Sequence, residues 1–236
     1  MAAPHDNAVA GMFGRIARFY DLLNHVLSFG LDRRWRAVLA ERALEKGGTV
    51  ALDLAAGTLD VSLALRCLRP EITVVALDFC PSMLERGRRK LKGENAGRVL
   101  PVTANVKRLP VRANSANCIT MAFGIRNILP RQAVYAEMLR ALKPGGLACI
   151  LEFGSGRERI LGGIYNFYLD VVLARIGRII SRDNAAYNYL AETIRDFPTV
   201  PELEEELLEA GFVLVRSQKF TSGIVCLHVA EKSEII

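Results

Sequence analysis

Short apolar runs and segments with helical spacing alternate along most of the chain. Apolar runs bounded by glycine or polar residues are typical of buried strands, whereas apolar residues three or four positions apart are typical of helices. The apolar runs predict strands over Thr49–Leu54, Ile72–Leu77, Val99–Thr103, Asn117–Phe123, Leu147–Phe153, Phe212–Phe220 and Ile224–Glu231. The helical spacing predicts helices over Ala8–Leu23, Asp32–Glu45, Thr58–Leu68, Pro81–Leu91, Arg131–Leu142, Ile160–Ile180, Tyr187–Arg195 and Pro201–Ala210.

Local residue chemistry marks the ends of several of these elements. Asp32 is expected to cap the helix that it begins, and Gly47-Gly48 is expected to end it. Lys143-Pro144-Gly145-Gly146 is expected to stop a helix sharply before the next strand. Thr221-Ser222-Gly223 is short enough to be a hairpin turn, so the last two strands are predicted to be antiparallel.

The order of these elements predicts the fold class α/β. Because strand–helix–strand units form parallel sheets, we predict a Rossmann-like, doubly wound, seven-stranded sheet, mostly parallel with an antiparallel C-terminal strand. A length of 236 residues fits one domain of this class better than two small ones. Within this single domain, residues 1–46 are expected to form an N-terminal helical cap and residues 154–198 a helical insertion on the substrate side.

Positive charge modestly exceeds negative charge, and the excess is concentrated in one stretch. Lys plus Arg is 31 against 25 for Asp plus Glu, a formal net charge of +6. A basic face can bind nucleic acid or an anionic membrane, and it can equally be a solvated helix surface. No recognition-helix pattern accompanies it, so no nucleic acid is expected, whereas peripheral membrane contact stays open. The stretch contains Arg86, Arg88, Arg89, Lys90, Lys92, Arg98, Lys107, Arg108 and Arg112.

The five cysteines are scattered along the chain and form no Cys-x-x-Cys pair. Cys118, Cys149 and Cys226 fall in predicted strands, which favours small core residues in a reducing compartment such as the cytoplasm. The three histidines are far apart in sequence, so no metal site is predicted. The hydrophobic stretch Ile160–Ile180 contains one aspartate and two arginines, so it is not predicted to span a membrane.

The sharpest functional pattern is a strand followed by a small-residue turn and a helix. Val50–Leu54 leads into Ala55-Ala56-Gly57-Thr58, a turn whose backbone N–H groups can approach a ligand closely. Asp78 follows the next strand, where an acid can accept hydrogen bonds from both hydroxyls of a ribose. Asn105 follows the third strand, where it could read an adenine edge. A nicotinamide cofactor would suit this arrangement as well, but one glycine in place of G-x-G-x-x-G favours S-adenosylmethionine, which has no pyrophosphate.

Distinctive motifs extend over almost the whole chain, from about Val9 to His228. They are Phe19–Asn24, Leu27–Gly30, Trp35, Phe123–Asn127, Leu142–Gly146, Leu151–Phe153, Tyr187–Ile194 and Thr221–His228. Together they resemble the ubiquinone/menaquinone biosynthesis C-methyltransferase family. The Lys-Pro-Gly-Gly element is shared by many methyltransferases, whereas the tyrosine-rich N-terminus, the Arg-Asn pair and the C-terminal pieces are more specific. The resemblance implies S-adenosylmethionine-dependent C-methylation of a quinone ring precursor, with demethylmenaquinol to menaquinol as the leading reaction.

The resemblance also implies which residues bind the cofactor. Thr58, Asp78 and Asn105 match the family's cofactor-binding positions, and Gly57 and Val106 complete the predicted set.

Three positions depart from the family pattern. Leu59 stands where the family usually has a second glycine, Val106 where it has alanine, and Ala122 where it commonly has serine. A leucine is expected to resist positive φ and to add bulk beside the cofactor, which would weaken cofactor binding.

Methylation of a ring carbon requires a neighbouring phenol to lose its proton, because the phenolate makes the carbon nucleophilic. Arg126, after the fourth strand, is the candidate that stabilises this phenolate, and a structural anchor is the other interpretation of the same arginine. Asn127 is expected to orient the ring oxygen. Tyr20 is expected to close the site, either as a hydrogen-bond partner or as packing.

Further residues could contribute to the substrate side, although core packing explains them at least as well. Tyr187, Tyr189 and Arg195 could line it, and the helix Ile160–Ile180 could cover a polyprenyl tail. His228 is expected to be a satisfied histidine of the last strand rather than a base.

Three functional classes remain open from the sequence. The first is C-methylation of a prenylated quinol, in the cytoplasm or peripherally at the inner face of the membrane, with a homodimer left open. The second is methylation of another small or lipid acceptor. The third is a non-catalytic protein in which Leu59 and Ala122 mark a decayed cofactor site.

Overall fold

Strands and helices alternate through most of the chain. The structure is a computed structural model that describes residues 9, 11–12, 14–15, 25, 28–155, 189 and 192–234. The strands are β1 (Val50–Leu54), β2 (Thr73–Asp78), β3 (Val99–Thr103), β4 (Ala116–Ala122), β5 (Leu142–Phe153), β6 (Leu214–Phe220) and β7 (Val225–Glu231). The helices are α1 (Leu31–Ala43), α2 (Asp60–Leu68), α3 (Pro81–Arg88), α4 (Asn95–Arg98), α5 (Arg131–Ala141) and α6 (Val200–Glu209), with 3-10 turns at Ile125–Asn127 and Thr221–Gly223.

The seven strands form one sheet in the order β3-β2-β1-β4-β5-β7-β6. The first five strands in this order are parallel to one another, whereas β7 is antiparallel to both β5 and β6. The predicted doubly wound α/β sheet with an antiparallel C-terminal strand is therefore confirmed. Strand order reverses between β1 and β4, and ligands of such sheets bind outside the carboxyl ends of the strands at this reversal.

Helices cover both faces of the sheet, and each face has its own apolar core. On one face, Leu39 of α1 and Leu65 of α2 pack with Leu84 of α3. On the other face, Val134 of α5 packs with Leu203 of α6. Because helices cover both faces, strands such as β1 and β4 are apolar on both sides, which explains their continuous hydrophobic sequences.

The predicted element boundaries are mostly within two or three residues of the observed ones, and two predictions at element ends are wrong. Asp32 is not a cap: Gly30, with φ 78°, precedes α1, and Asp32 lies buried in the first turn, where it accepts a hydrogen bond from Ser28 Oγ at 2.9 Å. The partners of its carboxylate are side chains, including those of Ser28 and Arg36, rather than the helix N–H groups.

The second wrong boundary is the start of β5. The helix α5 does end at Ala141, as the Lys-Pro-Gly-Gly sequence predicts, but the chain continues directly into β5 at Leu142. Gly145 N donates to Lys232 O at 3.1 Å and Lys232 N donates to Gly146 O at 3.0 Å. These bonds extend the ladder beyond the predicted start at Leu147 because a C-terminal segment far along the chain pairs with the glycines.

Several predicted features lie outside the described residues. These are Tyr20, Tyr187, the helix Ile160–Ile180 and most of the predicted helix Ala8–Leu23. Within the ranges that the structure does describe, no helix is both long and apolar enough to cross a membrane.

Candidate active site

A cleft opens at the carboxyl ends of β1, β2 and β4, where the strand order reverses. Counting its open mouth, it encloses about 750 Å³. Four of the five predicted cofactor residues line it. The lining residues are Val9, Ala55, Gly57, Asp78, Phe79, Cys80, Met83, Asn105, Val106, Lys107, Ala122, Phe123, Gly124, Asn127 and Ile128.

The turn after β1 forms the floor of the cleft through an unusual backbone path. Ala55, Gly57 and Leu59 have φ values of 50°, 52° and 70°. Ala56 N donates to Leu77 O at 3.1 Å, which holds the turn against the end of β2. Residues other than glycine rarely adopt positive φ unless the surrounding structure imposes it, and such residues cluster at ligand sites.

Asp78 joins this turn to the loop after β2. Its Oδ2 accepts a hydrogen bond from Gly57 N at 2.7 Å, and its Oδ1 accepts one from Cys80 N at 2.7 Å. Burial raises the pKa of the carboxyl, and these backbone N–H donors oppose the rise. Each carboxylate oxygen can accept a further hydrogen bond, so Asp78 could bind the two hydroxyls of a ribose from the cleft wall.

The loop after β3 supplies the opposite wall. Asn105 and Val106 both line the cleft, and Asn105 Oδ1 accepts a hydrogen bond from Lys107 N at 2.9 Å. This bond fixes the orientation of the Asn105 side chain, which is the residue predicted to read an adenine edge.

Leu59 does not obstruct the cleft, contrary to the expectation from the sequence. It adopts φ 70° and its side chain is fully buried, but it is not a lining residue. It points towards α3, where a Cβ on Gly87 would lie 2.5 Å from Leu59 Cγ. The missing side chain at Gly87 therefore makes the space that accepts the leucine. Thr58 is also buried and is likewise not among the lining residues.

A close approach between the first and fourth strands shapes the middle of the cleft. A Cβ on Gly124 would lie 2.6 Å from the Cβ of Ala55, so this position accepts only glycine without movement of the chain. Gly124 belongs to the Phe123–Asn127 motif, but its contact with Ala55 was not predicted. Phe79 and Met83 were not predicted as site residues, and their position directly after or near β2 was the available signal.

Asp53, in the middle of β1, was also missed as a separate feature. It accepts hydrogen bonds from Ser62 Oγ at 2.6 Å and Thr120 Oγ1 at 2.9 Å. Burial raises the pKa of Asp53 to about 6. The available signal was an aspartate inside an apolar strand. Through its two hydrogen bonds, Asp53 links α2 and β4 to β1.

Arg126 and Asn127 occupy the 3-10 turn after β4, but their side chains have different surroundings. Asn127 lines the cleft, whereas Arg126 does not. Arg126 Nη1 donates to Glu152 Oε1 at 2.6 Å and to Phe123 O at 2.7 Å, and both charged side chains are almost fully buried. The guanidinium is therefore anchored between Glu152 and the backbone of Phe123, and only Phe123 of these two partners lines the cleft.

Three buried polar atoms near this turn have no hydrogen-bond partner within the part of the chain that the structure describes. They are Arg126 Nε, Asn127 Oδ1 and Tyr189 Oη. Burial raises the pKa of Tyr189, and the positive charge of Arg126 acts against that rise, which indicates that the two side chains are close. Buried polar atoms are nearly always paired, so this group is suited to a polar ligand that supplies both donors and acceptors.

Two further predicted residues, His228 and Arg195, do not line the cleft. His228 is buried in β7, its Nδ1 lies 2.8 Å from Ser217 Oγ, and burial lowers its pKa to about 4. It is therefore neutral near pH 7 and has the hydrogen bond of a satisfied strand histidine. Arg195 is exposed.

The cleft is suited to S-adenosylmethionine by its residue chemistry. Gly57 presents backbone without a side chain, Asp78 has spare acceptor capacity, and Asn105 offers an amide. A pyrophosphate would require the three glycines of a dinucleotide turn, and this turn has one.

Comparisons with known proteins agree with this description. The sequence profile of the ubiE/COQ5 methyltransferase family matches residues 1–232. The "Ubiquinone/menaquinone biosynthesis C-methyltransferase UbiE" of Shewanella pealeana is 41% identical over 226 residues, which are 95% of this chain and 90% of that protein. The protein of the same name from Syntrophotalea carbinolica is 43% identical over 218 residues, which are 92% of this chain and 91% of that protein.

Solved structures share the fold at much lower sequence identity. An S-adenosylmethionine-dependent methyltransferase from Thermotoga maritima has a TM-score of 0.66 at 16% identity, covering 94% of this chain and 99% of that chain. The [4+2]-cyclase SpnF has a TM-score of 0.70 at 16% identity, covering 99% of this chain and 98% of that chain. Because proteins with different reactions share this architecture, the fold alone does not assign the chemistry. The family profile, in contrast, matches almost the entire length of the chain. The chain therefore belongs to the ubiE/COQ5 methyltransferase family and is an S-adenosylmethionine-dependent methyltransferase.

Proposed function

We propose that this enzyme methylates a ring carbon of a reduced quinone precursor, with demethylmenaquinol to menaquinol as the leading reaction. The observation that carries the proposal is that Arg126 Nε, Asn127 Oδ1 and Tyr189 Oη are buried without a hydrogen-bond partner among the described residues, and that Asn127 lines the cofactor cleft. A hydroquinone ring has hydroxyl groups that both donate and accept hydrogen bonds. The names of the Shewanella and Syntrophotalea relatives support the same class of substrate.

The cofactor-binding residues in this proposal are Gly57, Thr58, Asp78, Asn105 and Val106. When bound, S-adenosylmethionine supplies an electrophilic methyl group. Asp78 would accept hydrogen bonds from the ribose hydroxyls and Asn105 would contact the base, while Gly57 lets the ligand approach the backbone.

The chain's own contribution to the chemistry is to make the ring carbon nucleophilic. In the proposal, the positive charge of Arg126 stabilises the phenolate form of the ring hydroxyl, which raises electron density at the neighbouring carbon. Asn127 orients the ring oxygen from the cleft wall. Tyr20 is proposed to close the site and exclude water, which strengthens these electrostatic effects.

Labelled methyl transfer to a panel of reduced demethylated quinones tests the proposal. We expect the label on a ring carbon, located by mass spectrometry, with a demethylated naphthoquinol as the best acceptor. Transfer to oxygen, or no transfer to any quinol in the panel while an amine acceptor is methylated, would contradict it. The oxidised quinones are the matched control, because they have no hydroxyl to ionise and are expected to remain unmethylated.

We further propose that the edge of the molecule around β3 contacts an anionic membrane peripherally, which would bring the cleft to a lipid-soluble substrate. Exposed cations gather there, and Leu100 on the edge strand is 44% exposed. At about 1 kcal/mol for each cation, R89Q/K92Q is expected to weaken binding to vesicles containing phosphatidylglycerol by about 30-fold. Flotation of the variant equal to that of the unmodified enzyme would refute this contact, and neutral vesicles are the control.

A further inference from the structure

Glu152 is a buried carboxylate that the proposed chemistry has not yet used. It lies in β5, is 1% exposed and forms an ion pair with Arg126. Its position in the sheet is central, between β4 and β7. A carboxylate in such a place is costly unless it is paired, and here it is paired with the residue that the proposed function assigns to phenolate stabilisation.

Glu152 binds both the side chain and the backbone of Arg126. Its Oε1 accepts from Arg126 Nη1 at 2.6 Å, and its Oε2 accepts from the backbone N of Arg126 at 3.4 Å. The backbone N of Phe153 donates to the same Oε1 at 2.9 Å, so the carboxylate is fixed in turn by its own strand. Arg126 Cζ also lies 5.4 Å from the centre of the Phe153 ring.

These contacts occupy one end of the guanidinium and leave another atom available. Nη1 is shared between Glu152 and Phe123 O, whereas Nε is buried and has no partner among the residues that the structure describes. Glu152 therefore engages Nη1 rather than Nε, and its negative charge offsets part of the positive charge that a ligand would experience.

The other ionisable groups around the ion pair of Arg126 and Glu152 are neutral or are paired elsewhere. Tyr189 carries an unpaired hydroxyl near Arg126. Cys226 lies opposite Glu152 in the ladder, and His228, which is neutral near pH 7, lies two positions along on the same face. Arg36 Cζ of α1 lies 5.6 Å from the centre of the Phe123 ring, and Arg36 forms an ion pair with Asp32.

We infer that Glu152 is a positioning residue, which holds Arg126 with its Nε free and sets how much of its positive charge reaches the ring oxygen of the substrate. This inference rests on the proposed function. A positioning role of Glu152 differs from a purely structural role in one respect. Changing the charge of Glu152 must then change the pH at which the substrate becomes reactive, and not only the amount of folded enzyme.

The test is the pH dependence of kcat for E152Q, measured with a short-chain demethylmenaquinol and saturating S-adenosylmethionine. Glutamine keeps an oxygen that accepts from Arg126 Nη1 but removes the negative charge. The uncompensated Arg126 then favours the phenolate more strongly, so the acidic limb of the profile is expected to move down by about one pH unit or more. A limb that stays at the wild-type pH while kcat falls would overturn the inference.

Two further variants separate charge from shape and stability. E152D keeps the charge on a shorter side chain, so its limb is expected at the wild-type pH even where kcat is lower. R126Q/E152Q removes both charges, which avoids a buried unpaired ion, and its limb is expected between those of E152Q and R126Q. A shift in E152D equal to that in E152Q would overturn the role of charge.

The outcomes distinguish this inference from the proposed function. An active wild-type enzyme with an unmoved limb in E152Q contradicts only the role of Glu152. A wild-type enzyme that transfers no methyl group to any quinol contradicts both. The calorimetric Kd for S-adenosylmethionine, expected to be unchanged in E152Q, shows in each case that the cleft is intact.

Discussion

Leu59 shows how a single residue can break a local rule without damaging the site. A leucine where the family usually has glycine predicts an obstructed cofactor turn, because positive φ is unfavourable for leucine. In the structure Leu59 nevertheless adopts φ 70°. The structure places the side chain in a fully buried position against α3, in the space that Gly87 leaves. The backbone cost of about 1–2 kcal/mol is smaller than most of the roughly 2–5 kcal/mol that is lost when a buried leucine is truncated to alanine. Burial therefore decides the conformation.

This comparison predicts the behaviour of two substitutions at Leu59. Both L59A and L59G lose the buried side chain, and L59G recovers the backbone cost, so L59G should be the more stable of the two by about 1 kcal/mol. Urea unfolding measures the difference. The calorimetric Kd for S-adenosylmethionine should be unchanged in L59G, because Leu59 does not line the cleft. An L59A variant more stable than L59G would contradict this account.

At the scale of elements, the cleft depends on how closely the ends of β1 and β4 approach each other. Each strand is followed by a residue with positive φ, Ala55 at 50° and Phe123 at 57°, which turns the chain away from the sheet. Gly124 then meets Ala55 with no room for a side chain. The two loops are therefore packed against each other, which positions Asn127 on the cleft wall.

The substitution G124A should separate these two loops. Its new Cβ would lie 2.6 Å from the Ala55 Cβ, and overpacking of this kind costs about 1–3 kcal/mol. We expect weaker binding of S-adenosylmethionine in calorimetry, together with a lower melting temperature. The double variant A55G/G124A is the matched control, because it removes the opposing Cβ and should restore binding. Equal Kd values for G124A and the unmodified enzyme would show that the approach is unimportant.

At the scale of the whole molecule, stability should depend on pH through groups that the sheet buries. His228 is the clearest case, because burial lowers its pKa to about 4. In the unfolded chain it binds a proton near its ordinary pKa of about 6.5. Between these values the unfolded state binds more protons, so the contribution of His228 to stability is complete above about pH 6.5 and decreases as the pH falls towards 4.

The substitution H228N isolates this effect from the other titrating groups, such as Asp53, whose raised pKa acts in the opposite direction. The difference in the free energy of unfolding between H228N and the unmodified enzyme should change by about 3 kcal/mol between pH 7 and pH 4. The change favours the variant at low pH. Guanidinium unfolding at the two pH values measures it, and a difference independent of pH would refute the assignment.

The sequence by itself determined the order and type of the elements. Strand periodicity, glycine turns and helix stops are local signals, and they located all seven strands of the described sheet, because a strand buried on both faces must be apolar along its length. The same logic placed Gly57, Asp78, Asn105 and Asn127 at strand ends, and parallel strands bring those ends to one edge. Family motifs then indicated the chemistry.

Only the tertiary structure decided where individual side chains point. The direction of Leu59 depends on Gly87 of another helix, and the start of β5 depends on Lys232 near the other end of the chain. The pairing of Arg126 with Glu152 joins the 3-10 turn after β4 to strand β5, so no local pattern reports it. Periodicity depends on neighbours along the chain, whereas these contacts arise from packing between distant segments, and that is the physical reason why they become visible only in the folded molecule.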